Sequence, residues 1–202
     1  MSKGMLLVVS AIGFAAFQPT FAAENEWKID PAHSDARFSV KHMMVSNVSG
    51  DFGKISGNAQ FDGVHLDKAK VEAIIPVNDI NTREPKRDAH LKSPEFFDVE
   101  KYPTINFKSK EIKELSDGEF KMTGDLTMHG VTKEVVLTGT GLSKPIKDPM
   151  GNLRIGASAT TKLDRKDFGI NYNKTLDNGG VMVGDDVSVT IDVELISPSK
   201  TL

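Results

Sequence analysis

Cysteine is absent from this chain of 202 residues, which excludes disulfide bonds, thiolate catalysis, cysteine-ligated zinc and iron–sulfur clusters. Charge of one sign is not in excess either: 25 basic residues face 28 acidic ones, for a formal net charge of −3. The chain as a whole therefore does not have the strongly basic character of a nucleic-acid-binding protein. The remaining composition, with 39% hydrophobic residues, is that of an ordinary globular protein.

Long apolar runs are confined to the N-terminus. Met5–Phe17 carries no charge, Lys3 precedes it, and the small residues of Thr20-Phe21-Ala22 follow it. This order is typical of a secretory signal peptide, and the run is shorter than the roughly 20 residues that a transmembrane helix needs. We predict a signal peptide over residues 1–22, cleaved after Ala22. We also predict an exported, soluble protein with no membrane span and with one domain over residues 23–202.

The rest of the sequence alternates between apolar and polar residues with a period of two. The alternation is clearest in 187–195, where valine, isoleucine and leucine alternate with serine, threonine and acidic residues. Further strands are indicated around residues 36–41, 55–61, 71–75, 105–107, 120–128, 135–139 and 155–163. We therefore predict an all-β fold of eight to ten antiparallel strands. The pattern alone leaves a closed barrel and a two-layer sandwich open.

One segment, residues 82–97, breaks this alternation. We predict two short helices there, over residues 84–91 and 94–97, the second capped by Ser93 with Pro94 at its first position. Arg83, Arg87 and His90 concentrate polar groups on this insertion. Two interpretations stay open for them: a surface helix with ion pairs, or a polar rim at a barrel mouth that binds a ligand head group.

Motifs for catalysis or metal binding are missing from the sequence. The five histidines do not have the helical spacing of a zinc protease, and no Gly-x-Ser-x-Gly motif occurs. His33 and His42 are the one pair that could approach each other, across a hairpin. We therefore predict a protein that is not an enzyme, with no catalytic residues, no metal site and no cofactor.

Several short motifs, taken together and in order, carry a resemblance to a known family. They are Trp27-Lys28-Ile29-Asp30-Pro31-Ala32-His33-Ser34, Phe38-Ser39-Val40-Lys41-His42-Met43, Gly50-Asp51-Phe52, Gly57, Thr82, Arg87-Asp88-Ala89-His90-Leu91, Phe96-Phe97-Asp98, Tyr102-Pro103-Thr104-Ile105, Phe107, Gly124-Asp125-Leu126-Thr127, Gly130-Val131-Thr132-Lys133, Arg165-Lys166-Asp167-Phe168-Gly169 and Val183-Gly184-Asp185-Asp186-Val187. The chain resembles the YceI-like family of periplasmic, lipocalin-like proteins over essentially all of residues 27–196.

The resemblance implies an extended antiparallel, lipocalin-like β-barrel with a short helical insertion. It also implies a periplasmic location and a long apolar tunnel for an isoprenoid quinone, a polyprenyl phosphate or another long amphiphile. Some members form dimers, so a homodimer is a possible state of this chain as well. Two alternatives to lipid carriage, storage or stress protection stay open: an envelope enzyme that acts on such a lipid, and a module that binds another protein.

If the tunnel exists, inward-facing apolar residues of the strands form its wall. The wall candidates are Phe38, Val40, Phe52, Phe61, Ile75, Phe107, Met122, Leu126 and Met128. The alternative for each of them is ordinary packing in a solid core. Met43 and Met44 follow the first long strand, where flexible thioethers would suit a surface that adapts to a long chain.

Overall fold

The regular secondary structure of the described residues is almost wholly β-strand. A computed structural model describes residues 26–116, 118–177 and 179–198, so the predicted signal peptide and its cleavage site lie outside the described residues. The strands are β1 (Glu26–Ile29), β2 (Asp35–His42), β3 (Ser46–Asp51), β4 (Ser56–Gln60), β5 (Lys70–Pro76), β6 (Thr104–Glu114), β7 (Phe120–Met128), β8 (Val131–Thr140), β9 (Ile146–Lys147), β10 (Leu153–Asp164) and β11 (Val183–Ser197), and helix α1 is Pro85–Lys92. No helix in these ranges has the length and apolar character that crossing a bilayer requires.

The sheet closes on itself to form an antiparallel barrel. Its eight wall strands follow the order β11-β1-β4-β5-β6-β7-β8-β10, and the pairing of β10 with β11 completes the ring. Strand β11 pairs with β10 along one edge, while its other edge pairs with β1 near Ile196 and with β2 between Val183 and Asp192. The all-β prediction is confirmed, and the barrel replaces the sandwich because closure leaves fewer strand edges unpaired.

The β7–β8 hairpin shows how local sequence sets the strand register. Its turn residues His129 and Gly130 both have positive φ, at 52° and 75°, as the tight turns that join twisted antiparallel strands require. Met128 therefore pairs with Val131, and most apolar residues of both strands point to one face, with Val136 on the other. This face becomes the inside of the barrel.

The connections divide between the two ends of the barrel. One end, which we call the α1 end, carries the β2–β3 turn, the segment 77–103 with α1, and residues 165–182. The opposite end carries residues 61–69, 115–119 and 141–152, of which Asp117 lies outside the described residues. Buried apolar side chains cluster at both ends, around Phe96 and Phe168 at the first and around Trp27 and Phe120 at the second.

The prediction of two helices in the insertion is correct for the first helix and wrong for the second. Helix α1 matches the predicted helix over 84–91, and the Glu84 side chain accepts the Lys86 N–H at its start. Residues 94–97 form turns instead, with the N–H groups of Phe96 and Phe97 donating to the carbonyls of Ser93 and Leu91. The reason is burial: Phe96, Asp98 and Val99 are all buried, which one exposed helical turn would not allow.

Candidate functional site

An elongated cavity lies inside the barrel, with a volume of about 250 Å³. Along β11 its lining extends from Val183 to Leu195, which corresponds to about 40 Å of strand. Among the described residues the lining is apolar except for Ser158, Thr161 and Arg165. The interior is therefore a surface for hydrocarbon, since polar ligand groups find few partners there.

All nine wall candidates from the sequence lie on the lining of this cavity. They are Phe38, Val40, Phe52, Phe61, Ile75, Phe107, Met122, Leu126 and Met128. Strand alternation predicts this placement, because every second side chain of a barrel strand points inward. Their contact with a ligand stays a prediction. Met43 and Met44 do not belong to the lining; both are exposed.

Glycines on the inner face let large rings lie flat against the wall. A side chain at Gly124 would meet the ring of Phe107 at 2.5 Å, and one at Gly139 would meet the ring of Phe120 at 2.0 Å. Each ring therefore covers a glycine on the neighbouring strand instead of projecting towards the barrel axis. The glycines free space at the centre of the barrel, so the wall can carry aromatic rings and still enclose a cavity.

Strand alternation does not predict the residues that close the cavity. Leu91, Phe96 and Phe97 come from α1 and the turns after it, and Ile170 comes from the segment after β10; all four line the cavity. Phe97 packs edge-on against Phe52, with ring centroids 5.9 Å apart. The one signal for these residues in the sequence is an apolar pair, Phe96-Phe97, within a polar insertion.

The three polar side chains of the lining all donate hydrogen bonds to protein acceptors. Ser158 donates to Asp192, and Thr161 donates to the carbonyl of Val136 at 2.9 Å. The buried Arg165 uses both of its terminal nitrogens and Nε, donating to the carbonyls of Gly184, Ile170, Tyr172 and Val183 and to the Asp185 carboxylate. These groups hold the wall together, and no N–H of the Arg165 guanidinium remains for a ligand.

The predicted polar rim is part of the insertion and not of the cavity lining. Arg87 donates from Nε to the Thr82 hydroxyl at 2.7 Å and from Nη2 to the Thr82 carbonyl at 2.9 Å. His90 bonds to Glu95 through Nε2, and its ring packs edge-on against Phe96 and Tyr172. Arg83 is exposed, with φ of 64°. Binding of a head group by Arg83, Arg87 and His90 stays a prediction.

A cluster of charged groups lies at the opposite end of the barrel. Asp30, His33 and Glu194 bring one potential metal-ligand atom each to within 4.8 Å of one another. The guanidinium of Arg154 lies between the two carboxylates and also bonds to Asp148 at 2.8 Å. A cation thus already occupies the centre of the cluster, which we interpret as an ion-pair network.

The network lowers the pKa of two of its carboxyl groups. Hydrogen bonds from His33, from the backbone N–H of Ala32 and from Arg154 lower the pKa of Asp30 to about 2. The hydrogen bond from Arg154 is the main reason that the pKa of Asp148 is also lowered to about 2. Hydrogen bonds to Asp148, Glu194 and Asp30 in turn raise the pKa of Arg154 above its ordinary value. Asp30, Asp148 and Arg154 are therefore charged at neutral pH.

The hypothesis that His33 and His42 meet across a hairpin is wrong. His33 lies in the turn before β2 and bonds to Asp30 at 2.9 Å, whereas His42 is the last residue of β2. The strand between them spans about 23 Å, so the two rings lie at opposite ends of the barrel.

The fold and the cavity together define a lipocalin-like β-barrel with an apolar interior. A sequence profile for the YceI-like domain matches residues 27–195. The chain belongs to the YceI-like family, which confirms the resemblance found in its motifs. A UPF0312 protein of Vibrio cholerae is 33% identical to it over 170 residues, covering 84% of this chain and 87% of the relative.

Two solved structures have the same fold. A YceI protein of Campylobacter jejuni superposes with a TM-score of 0.65 and 32% identity, covering 79% of this chain and 90% of that chain. A polyisoprenoid binding domain from Saccharophagus degradans, implicated in plant cell wall breakdown, superposes with a TM-score of 0.63. It is 15% identical, and the match covers 85% of this chain and 98% of that domain. This second likeness shows the fold alone.

Proposed function

We propose that this protein binds one long apolar chain of the polyisoprenoid class inside its barrel and shields it from water in the periplasm. The observation that carries the proposal is the elongated cavity, whose lining is apolar from Val183 to Leu195. A hydrocarbon chain gains roughly 25 cal/mol per Å² of apolar surface removed from water, before the cost of ordering it. The protein carries, stores or protects such a lipid.

The cavity has an energetic cost that a ligand would offset. Protein interiors are normally close-packed, and an empty cavity costs about 24 cal/mol per Å³, or about 6 kcal/mol for this volume. A barrel selected for stability alone would fill the space with larger side chains. Ala73 on β5 and Ala157 and Ala159 on β10 instead keep the wall thin on two strands. A bound chain would replace the missing packing contacts.

The head group of the ligand lies outside this lining. The hydroxyls of Ser158 and Thr161 and the guanidinium of Arg165 already donate to protein acceptors, so they are poor partners for a phosphate or a quinone oxygen. Recognition inside the barrel therefore depends on the length and width of the chain. Isoprenoid quinones and polyprenyl phosphates both satisfy this requirement.

Two further observations favour a binding protein over an enzyme that acts on a lipid. No histidine or carboxylate occurs among the described residues that line the cavity, and these are the usual groups for acid–base chemistry. The structural likeness to a polyisoprenoid binding domain also supports a binding role. Neither observation supports the other alternative, a module that binds another protein and no lipid.

The test is to extract and identify lipid from the purified protein by mass spectrometry, in the wild type and in two tryptophan variants. Leu126→Trp places an indole in the cavity, whereas Val136→Trp places the same group on β8 at an exposed position. We expect an isoprenoid lipid in the wild type and in Val136→Trp, and its loss in Leu126→Trp with a small change in melting temperature.

The opposite pattern would contradict the proposal. If the interior were a solid core, Leu126→Trp would be destabilised by about 1–3 kcal/mol through overpacking. In that case no lipid would be extracted from any of the three proteins, even after incubation with a polyprenol or a quinone. Equal lipid content in all three proteins would place the lipid outside the cavity.

A further inference from the structure

The turn between β2 and β3 exposes three consecutive apolar side chains. Met43, Met44 and Val45 are 41%, 60% and 82% exposed. The Met43 N–H donates to the carbonyl of Met182 at 2.8 Å, so a second turn, which contains the exposed Val181, lies beside the first. We call Met43, Met44, Val45 and Val181 the apolar tip. It projects from the α1 end of the barrel.

The backbone of this turn is unusual for the residues it contains. Met43 and Met44 have φ values of 50° and 61°, and the Val45 N–H donates to the His42 carbonyl at 3.1 Å. Turns with two successive positive φ values strongly prefer Asn-Gly, because a left-handed conformation costs other residues about 1–2 kcal/mol each. Strain of this kind is typical of positions where the side chains have a function.

Two cationic side chains lie beside the apolar tip. Lys41 precedes the tip and Lys174 is bonded through its carbonyl to the N–H of Met182, while Asp177 is the one carboxylate of the second turn. Lys41 and Lys174 are exposed and take part in none of the ion pairs formed within the described ranges. The tip is therefore apolar with a cationic border.

At the opposite end, the exposed Val64 and Met150 lie next to carboxylates, whereas the exposed Ile146 lies beside Lys147 on β9. The exposed Val64 donates its N–H to Asp62 at 2.8 Å, and the exposed Met150 donates its N–H to Asp148 at 2.9 Å. The lysines beside the apolar tip would be attracted by an anionic surface. The apolar tip differs from the turns at Val64 and Met150 because it joins exposed apolar side chains from two neighbouring turns.

We propose that the apolar tip inserts into the surface of an anionic lipid bilayer and docks the α1 end of the barrel on the membrane. Methionine and valine side chains gain apolar contact at the boundary of head groups and acyl chains, and the two lysines bind lipid phosphates. Val40 and Val183, which border the tip on β2 and β11, also line the cavity. The proposal rests on the proposed function, since docking here brings the cavity to the membrane that holds its lipid.

Flotation of the purified protein with lipid vesicles tests this proposal. The vesicles contain phosphatidylcholine alone or phosphatidylcholine mixed with phosphatidylglycerol. We expect the wild type to bind the anionic vesicles, with affinity that falls as salt rises. Val45→Asp lowers this affinity about tenfold, because the variant loses the valine side chain that would be buried in the bilayer. Met150→Asp, an equally exposed position at the opposite end, serves as the matched control and leaves the affinity unchanged.

A second variant separates docking from folding. The double variant Met43→Asn with Met44→Gly keeps the turn and removes its strain, so we expect it to melt at or above the wild-type temperature and to lose vesicle binding. Wild-type binding by this variant would overturn the proposal, as would equal losses in Val45→Asp and Met150→Asp. A change of oligomeric state without any vesicle binding would show that the tip is a contact between copies of the chain.

The docking proposal and the proposed function can fail separately. Lipid content after direct incubation with a polyprenol in detergent reports on the cavity, and vesicle flotation reports on the tip. If Val45→Asp holds the polyprenol as the wild type does but acquires it more slowly from vesicles, both proposals are supported. Vesicle binding by a wild type that holds no lipid would remove the proposed function and leave docking in place.

Discussion

At the scale of single residues, Arg165 shows how a polar group can line an apolar cavity without serving its ligand. The residue is buried, and its guanidinium donates to four backbone carbonyls and to the carboxylate of Asp185. These bonds join the end of β10 to the segment around Tyr172 and to the start of β11. Arg165 therefore fixes the shape of the α1 end.

Replacing Arg165 tests this structural role. Arg165→Lys keeps the charge and loses the planar fork, so several buried carbonyls lose their donor. We expect a loss of about 3 kcal/mol in the free energy of unfolding, measured by urea denaturation. Lys166→Met removes the exposed partner of the same Asp185 and should cost less than about 1 kcal/mol. Similar losses in the two variants would contradict the assignment.

At the scale of elements, the insertion between β5 and β6 depends on a short network at its start. The Asp88 carboxylate accepts both the N–H and the hydroxyl of Thr82, at 2.9 Å and 2.5 Å, and Arg87 donates to the same Thr82. Thr82 is buried and lies over Gly50 of β3. The network thus anchors α1 to the barrel, which supports a structural role for Arg87.

The structural role of Arg87 predicts how a variant affects two related ligands. With Arg87→Ala, the apo protein should melt earlier, and the affinities for a polyprenyl phosphate and for the matching alcohol should fall by similar factors. Titration of both ligands into the wild type and the variant measures this. A much larger loss for the phosphate would mean that Arg87 binds the head group.

The sequence predicts long strands well and short or irregular strands poorly. Strand β7 was predicted over its full range, because five inward residues alternate without interruption. In β6 the register shifts between Ser109 and Glu111, so the alternation that begins at Ile105 is lost before the buried Ile112. Strands β1, β3 and β9 are too short, or carry too few apolar residues, to show a period.

In the candidate site too, positions on regular strands could be predicted and positions on other segments could not. Wall positions could be predicted because strand alternation decides which side chains point inward. The closing residues Leu91, Phe96 and Phe97 lie on a helix and on turns, where no simple period applies. The partners of Arg165 lie in residues 170–172 and in β11, which are separate segments of the chain, and no local sequence pattern encodes these contacts. The partner of Arg87, Thr82, is close in the sequence, but the alternation of strand residues says nothing about it.

At the scale of the whole molecule, the Arg154 network joins three separate parts of the chain. Asp30 lies in the β1–β2 connection, Asp148 in the β9–β10 turn, and Glu194 in β11. The folded-state pKa of Asp30 and Asp148 is about 2, below the ordinary value of 3.8. Their contribution to stability is therefore present above about pH 4 and is lost as the pH falls towards 2.

This network predicts a pH-dependent effect of Arg154→Met. We expect the variant to be less stable than the wild type at pH 7, and the difference to shrink between pH 4 and pH 2 as the carboxylates become protonated. Urea denaturation across this range measures both stabilities. Arg37→Met removes exposed ion pairs with Asp35 and Asp192 and should show a much smaller difference throughout. A constant difference for Arg154→Met down to pH 2 would contradict the account.

The pairing of β11 has a consequence for the order in which the protein assembles. Lys28, near the beginning of the described chain, pairs with Ile196, near its end, and β11 also pairs with β10 over twelve successive residues. Until β11 is in place, the edges of β1 and β10 stay open and nothing encloses the interior. Pairings between such distant parts of the chain form slowly, because a long loop must close first. The lipid binding proposed above therefore requires a completed chain, because a nascent chain has no enclosed interior.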